Sequence, residues 1–311
     1  MKSLNVIFMG SPEFAVPSLE KIHHSSHNIK AVVSNPDKRR GRRGKPQPTK
    51  VKEKALQLGL PVIDVIDLYS QKFQNQIATL KPDLLVVVAF RILPSSILEI
   101  PKIGSINLHA SLLPKYRGAA PIHWAVINGE KETGCTIFFL DEKVDTGKII
   151  SQKKIEIGPM ETTGDVYNKL MVMGADLLLE SIHKIAENNV ESVSQNHGQA
   201  TSAPKLFKEN TQIDFHKSAQ EVHNLVRGLN PFPVAWCTYN GEKMNIYSTK
   251  PFKEKQMAPG KLIFEDGKLL AGCGSGVVEI KELQLPGTKV MSGKDFANGY
   301  DVNRILNKSS S

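Results

Sequence analysis

Four short, almost wholly apolar runs, set among helical stretches, limit most severely what this chain can fold into. They are Val6-Ile7-Phe8-Met9, Ala31-Val32-Val33, Leu84-Leu85-Val86-Val87-Val88 and Ile103-Gly104-Ser105-Ile106. They lack the in-out alternation of a sheet with one wet face and are rich in Val and Ile, as strands covered on both faces are. The spacing of apolar residues between them predicts helices over 17–22, 50–58 (closed by Gly59) and 71–80. Strands alternating with helices require right-handed crossovers, and hence a Rossmann-like α/β domain with a doubly wound, mostly parallel sheet. Ligands of such sheets bind outside the carboxyl ends of the strands.

Further on, 134–140 and 153–157 read as two strands joined by a turn, antiparallel at the sheet's edge. An amphipathic helix follows over 163–188, with Val166, Leu170, Met173, Leu177 and Ile185 on one face. Residues 189–207 are polar and rich in breakers, which predicts a linker. After a helix over 219–229, short runs at 235–239, 243–247, 260–264, 268–271 and 277–283 predict a small carboxy-terminal β-barrel of OB type. The expected organisation is a catalytic α/β domain over 1–188, a linker over 189–207 and an OB-like domain over 208–311. With 311 residues, each domain is large enough to bury its own core.

Charge adds a second constraint. The chain carries a net +9, and the stretch from Asp37 to Lys54 holds +7 of it, nine Lys/Arg against Asp37 and Glu53. Gly41, Gly44, Pro46 and Pro48 interrupt any regular element there, so Arg39, Arg40, Arg42, Arg43 and Lys45 are expected on a flexible arm that contacts a polyanion. Arg pairs bidentately with phosphate, and neutralising a phosphate backbone dominates nucleic-acid affinity. A solvated loop is the bland alternative. Cys135, Cys237 and Cys273 are widely spaced and form no metal-ligand pair, which suits structural thiols, no metal and a reducing cytoplasm. The apolar run after Met1 is too short to span a membrane and has no cleavage site, so it reads as a first strand and not as a signal or transit peptide.

The candidate chemistry lies in three polar residues. Asn107 and His109 are two apart at the end of the fourth run, so both side chains face the same way. Asp145 sits in "VDTG". Singly, each has a dull explanation as a cap, a satisfied buried group or a turn. An aspartic-protease dyad needs two such carboxylates, and only one is present. A zinc site from His109, His123 and Asp145 lacks ligand spacing. Together, an amide donor, an imidazole and a carboxylate suit stabilisation of an oxyanion and movement of a proton. No Ser or Cys nucleophile accompanies them, so direct acyl transfer between two bound substrates fits.

These residues carry a resemblance. "NLHASLLPKYRGAAPI" (107–122) followed by "VDTG" resembles the signature of the folate-dependent formyltransferases. "VIFMGSPEFAVPSL" near the start, "RRGRRGK" in the arm, "LNPFPVAW" at 229–236, "APGKL" at 258–262 and "MSGKDFANG" at 291–299 resemble the branch that acts on methionyl-tRNA. The likeness covers nearly the whole chain and its motifs keep their order. It implies 10-formyltetrahydrofolate as co-substrate, no permanently bound cofactor, and initiator methionyl-tRNA as acceptor. It further implies Asn107, His109 and Asp145 as the catalytic trio, Ser111, Leu112, Leu113 and Pro114 at the tetrahydrofolate, and a monomeric, bacterial-type cytoplasmic enzyme. Glycinamide-ribonucleotide and sugar-nucleotide formyltransferases and a formyl-folate hydrolase are alternatives within the superfamily. A non-catalytic RNA-binding protein is the alternative outside it. The stretch "AFRILP" (89–94), expected to wall the pterin pocket, is one residue shorter than the family's usual Ala-Tyr-Gly-x-Ile-Leu-Pro.

Overall fold

The computed structural model describes residues 2–39 and 44–307, and these form two compact units. One draws on 2–39, 44–118, 133–155 and 167–202; the other draws on 119–132, 156–166 and 203–307. This differs from the single cut expected at 189–207, because 119–132 and 156–166 pack with the carboxy-terminal part.

The first unit is built on a seven-stranded sheet. β1 (Asn5–Gly10) and β2 (Asn28–Ser34) are followed by a two-residue ladder, β3 (Lys38–Arg39) with β4 (Pro46–Gln47), that lies outside the sheet. The sheet continues with β5 (Val62–Asp64), β6 (Leu84–Val88), β7 (Gly104–His109), β8 (Glu132–Phe139) and β9 (Ile149–Glu156), in the order β5-β2-β1-β6-β7-β8-β9. The first five of these run parallel and β8 runs antiparallel to β7. The expected α/β architecture is therefore the observed one. All of β6 is buried, as its unbroken Leu/Val run requires. β5 is a three-residue edge strand, half-buried at best, and too short to leave a pattern.

Helices α1 (Val16–His23), α2 (Lys50–Gln57), α3 (Gln71–Thr79) and the short α4 (Ser95–Leu98) alternate with the strands. Thr49 caps α2 by accepting the Lys52 N–H. Helix α5 (Pro121–Ile127) belongs to the second unit and α6 (Thr163–Ala186) follows β9. At Gly174 a Cβ would come within 3.0 Å of Leu108 and 3.1 Å of the Cys135 sulfur. A glycine there lets α6 lie close on β7 and β8.

The second unit holds α7 (Ala219–Gly228), β10 (Ala235–Tyr239), β11 (Glu242–Phe252), β12 (Leu262–Glu265), β13 (Lys268–Gly272), β14 (Val277–Gln284), β15 (Met291–Ser292) and α8 (Gly293–Gly299). Its strands pair antiparallel in the order β10-β11-β14-β13-β12, with β15 on β14. Val222, Val226, Ile246, Leu262, Leu283 and Phe296 lie in its core. α7 is fixed by a buried polar network. Arg227 donates to the carbonyls of Glu161 (2.8 Å) and Gly158 (3.3 Å), and His223 Nε2 donates to that of Pro159 (3.2 Å). These bonds give the peptide groups of the 156–166 segment partners they would otherwise lack.

Candidate active site

β7 ends at His109, paired with Thr136 of β8, while Asn107 pairs with Val87 of β6. His109 is buried, and its Nε2 lies 2.8 Å from the Tyr116 carbonyl. A carbonyl only accepts, so the proton of the neutral ring sits on Nε2 and Nδ1 carries the lone pair. Nδ1 lies 3.7 Å from Asp145 Oδ2. That is beyond hydrogen-bond length, yet a proton arriving on Nδ1 would meet a carboxylate. The same oxygen accepts the Gly118 N–H at 2.8 Å, which fixes the carboxylate from its other side. Asn107 is half-buried, and among the described residues its side-chain amide makes no hydrogen bond.

A cavity joins these groups. The loop after β6 (Phe90, Arg91, Ile92, Leu93) forms one wall, the 140–145 segment forms another, and Asn107 and Asp145 are both exposed to it. The short 89–94 loop starts from Ala89 in the left-handed region (φ 48°). Arg91 ties it down, donating from Nη1 to the Ile66 carbonyl at 2.9 Å and from Nη2 to the Val65 carbonyl at 2.6 Å. Its guanidinium also lies over the Phe90 ring at 5.4 Å.

Other expected site residues are placed differently. Ser111 is fully buried and donates to the Lys115 carbonyl; Leu113 is buried, and its N–H donates to Thr136 Oγ1 at 3.0 Å. Leu112 and Pro114 are half-buried. None of the four lines the cavity that holds Asn107 and Asp145; they build the turn after His109. His123 lies in the second unit and donates to the Phe232 carbonyl, with burial pushing its imidazole below the usual range. Among the described residues no group of His, Cys, Asp and Glu could hold a metal. All three cysteines are buried, and desolvation pushes the Cys135 and Cys273 thiols up to about 12.

The arm shows two differences from expectation. Its flanks do form a regular element, Lys38 pairing with Gln47 and Arg39 with Pro46, because a proline is tolerated on a two-stranded ladder with open edges. Nor are its lysines all uncompensated. Lys50 pairs with Glu53, Lys54 with Glu20, and Lys52 with both Asp37 and Asp64, hydrogen bonds that raise the Lys52 pKa. Among the described residues Arg39 and Lys45 make no ion pair. Arg40, Arg42 and Arg43 lie outside the described residues.

The structure also brings in residues from the stretch expected to be a linker. Gln195 donates to the Asp145 and Gly147 carbonyls, and Thr201 Oγ1 accepts the Tyr116 N–H. These three contacts join residues 48 to 85 positions apart, which periodicity cannot register.

Comparison with known proteins places the chain. Residues 1–182 match the formyl transferase family and 205–301 match the formyl transferase carboxy-terminal domain. A methionyl-tRNA formyltransferase from Alkaliphilus oremlandii is 44% identical over 304 residues, covering 97% of this chain and 98% of its own. That of Clostridioides difficile is 42% identical over 302 residues, covering 96% and 98%. Among solved structures, the N-formyltransferase of Helicobacter canadensis, in complex with folinic acid and dTDP-3-aminofucose, aligns with a TM-score of 0.68. It covers 89% of this chain and 98% of its own at 24% identity, a likeness of fold. The chain belongs to the methionyl-tRNA formyltransferase family.

Proposed function

We propose that this chain moves the formyl group of 10-formyltetrahydrofolate directly onto the α-amino group of initiator methionyl-tRNA. The observation that carries the catalytic reading is the uncommitted Asn107 amide, which opens with Asp145 onto one cavity beside His109. The neutral amine attacks the formyl carbon, and the new C–N bond forms as negative charge gathers on the formyl oxygen. Asn107 donates to that oxyanion, and the His109 Nε2–H, turned from the Tyr116 carbonyl, is the second donor. Asp145 receives the amine's proton, which passes through water to N10 as the C–N10 bond breaks, and it holds the His109 ring whenever Nδ1 carries a proton. The pterin lies between the 90–93 and 140–145 walls, with Ser111, Leu112, Leu113 and Pro114 backing it by shaping the turn.

The arm residues Arg39, Arg40, Arg42, Arg43 and Lys45 contact the phosphates of the acceptor end. A +7 stretch favours tRNA over a small acceptor. In the second unit Lys208 and Lys243 lie over the Trp236 ring at 5.4 and 5.6 Å, a basic and aromatic surface of the kind that binds nucleic acid, and we assign the OB-like domain to tRNA. We further assign the chain as a monomer acting in the cytoplasm. Among the described residues no helix is long and apolar enough to cross a membrane. The test is formylation by the purified protein of methionyl-tRNA, of a nucleotide-linked amino sugar and of glycinamide ribonucleotide. Selective transfer to methionyl-tRNA is expected; efficient transfer to either small acceptor, or release of formate alone, would overturn the assignment.

A further inference from the structure

The 193–202 segment of the first unit is polar and carries no regular element beyond one short turn, yet it holds both loops that present the catalytic pair. Val193 exchanges two backbone hydrogen bonds with Ile149, each 2.8 Å. Gln195 is only 6% exposed. Its Nε2 donates to the carbonyls of Asp145 (3.0 Å) and Gly147 (2.8 Å), and its Oε1 accepts from Arg117 Nε (3.2 Å) and Nη2 (2.5 Å). Farther along, Thr201 accepts the Tyr116 N–H on its hydroxyl and the Arg117 N–H on its carbonyl, each at 2.9 Å. One strap therefore grips the Asp145 turn at one end and, at the other, the loop whose Tyr116 carbonyl holds His109.

The turn needs such a grip. Asp145 has φ 55°, a left-handed conformation that costs a non-glycine residue on the order of 1 kcal/mol or more and persists only where its surroundings enforce it. Gly147 is pressed against the chain, since a Cβ there would lie 1.6 Å from the Phe139 carbonyl oxygen. The Gln195 amide holds the two carbonyls that flank Thr146, so it fixes the plane from which the Asp145 side chain leaves.

We propose that Gln195 is a positioning residue for formyl transfer. It touches neither reacting group and acts through Asp145, while Arg117 holds the Gln195 amide with its NH₂ towards the turn. The inference rests on the catalytic role of Asp145 proposed above. It predicts that Gln195→Leu lowers kcat by roughly 10- to 100-fold, the range expected when a catalytic group moves by about 1 Å, with both Michaelis constants within about twofold of the parent. Gln195→Glu is the near-isosteric control. It keeps the acceptor for Arg117 but offers the carbonyls no donor, so it should lose as much kcat as Gln195→Leu, with an unfolding midpoint that is lower but still well above the assay temperature.

The decisive experiment is a double-mutant cycle of Gln195→Glu with Asp145→Asn, read as single-turnover transfer to methionyl-tRNA. If Gln195 acts through Asp145, its substitution changes the rate of Asp145→Asn by less than about threefold. The same fold-loss in both backgrounds, or a Gln195→Glu enzyme with the parent kcat, would overturn the proposal while leaving the catalytic reading intact. An Asp145→Asn enzyme with the parent rate would overturn the catalytic reading itself.

Discussion

Two buried histidines, one in each unit, sit among polar partners and behave as opposites. His223 on α7 has both ring nitrogens engaged, Nδ1 with Thr249 Oγ1 at 3.0 Å and Nε2 with the Pro159 carbonyl. Beside it Arg227 spends its guanidinium on Asn224 and two carbonyls. His109 has one nitrogen engaged and the other facing a carboxylate that is itself held by a backbone N–H. Next to His109, the Asn107 amide makes no hydrogen bond among the described residues and opens onto a cavity. A buried polar network with every group satisfied fixes structure; one that leaves a donor free beside a cavity is equipped for chemistry.

This contrast is broken most readily by exchanging the effects. Asp145→Asn should lower kcat by about 100-fold or more and shift the unfolding midpoint little; His109→Ala should lower kcat at least as far, with some loss of stability because the Tyr116 carbonyl loses its donor. Arg227→Met should do the reverse. It leaves the Gly158 and Glu161 carbonyls without donors, costs about 2 kcal/mol of stability and keeps kcat. Kinetics and thermal unfolding of the three variants check this, and a catalytic loss in Arg227→Met without destabilisation would erase the distinction.

A smaller effect separates the cavity wall from the turn behind it. Ile92 is 69% exposed at the rim and Leu113 is 3% exposed. Ile92→Asp should raise the Michaelis constant for 10-formyltetrahydrofolate by about tenfold and spare stability, because it places a charge beside a largely apolar ligand. Leu113→Asp should destabilise the protein instead, since the carboxylate would be buried in the turn. Equal folate defects at unchanged stability would show that the pterin sits against 111–114.

The smallest effect is on pH dependence. Burial lowers the His223 pKa from its ordinary value of 6.5, with Arg227 adding to the shift and hydrogen bonds opposing it. The unfolded chain then takes up the proton first as pH falls, so stability is full above about 6.5 and declines from there towards the lowered folded value. Denaturant unfolding should show this decline, and His223→Gln should flatten it. An unchanged pH slope would mean that the His223 ring is not desolvated.

The same contrast explains what the sequence could show. Asn107 and His109 were legible because alternation on a strand is local, and β10 has the bounds its apolar run predicted. The place of β7 beside the Leu84–Val88 run, with Asn107 paired to Val87, was legible from the apolar pattern of the two runs. Gln195 and Thr201 were not legible: their partners are remote and their segment has the composition of a linker. Helix α5 was missed because its seven residues are stabilised by packing on α7, where Gly228 comes so close that a Cβ would lie 2.5 Å from Ile127. The 111–114 motif was legible, but its place behind the cavity wall depends on Thr136 and Gln152, which only the fold brings there.

The proposed chemistry turns on the Asn107 amide, which makes no hydrogen bond among the described residues, meeting the developing oxyanion. Single-turnover formyl transfer by Asn107→Leu, at saturating 10-formyltetrahydrofolate and methionyl-tRNA, tests it most directly. A rate lower by about 100-fold is expected, with an unfolding midpoint close to the parent's because the amide makes no hydrogen bond among the described residues. A parent-like rate in a folded Asn107→Leu enzyme would contradict it.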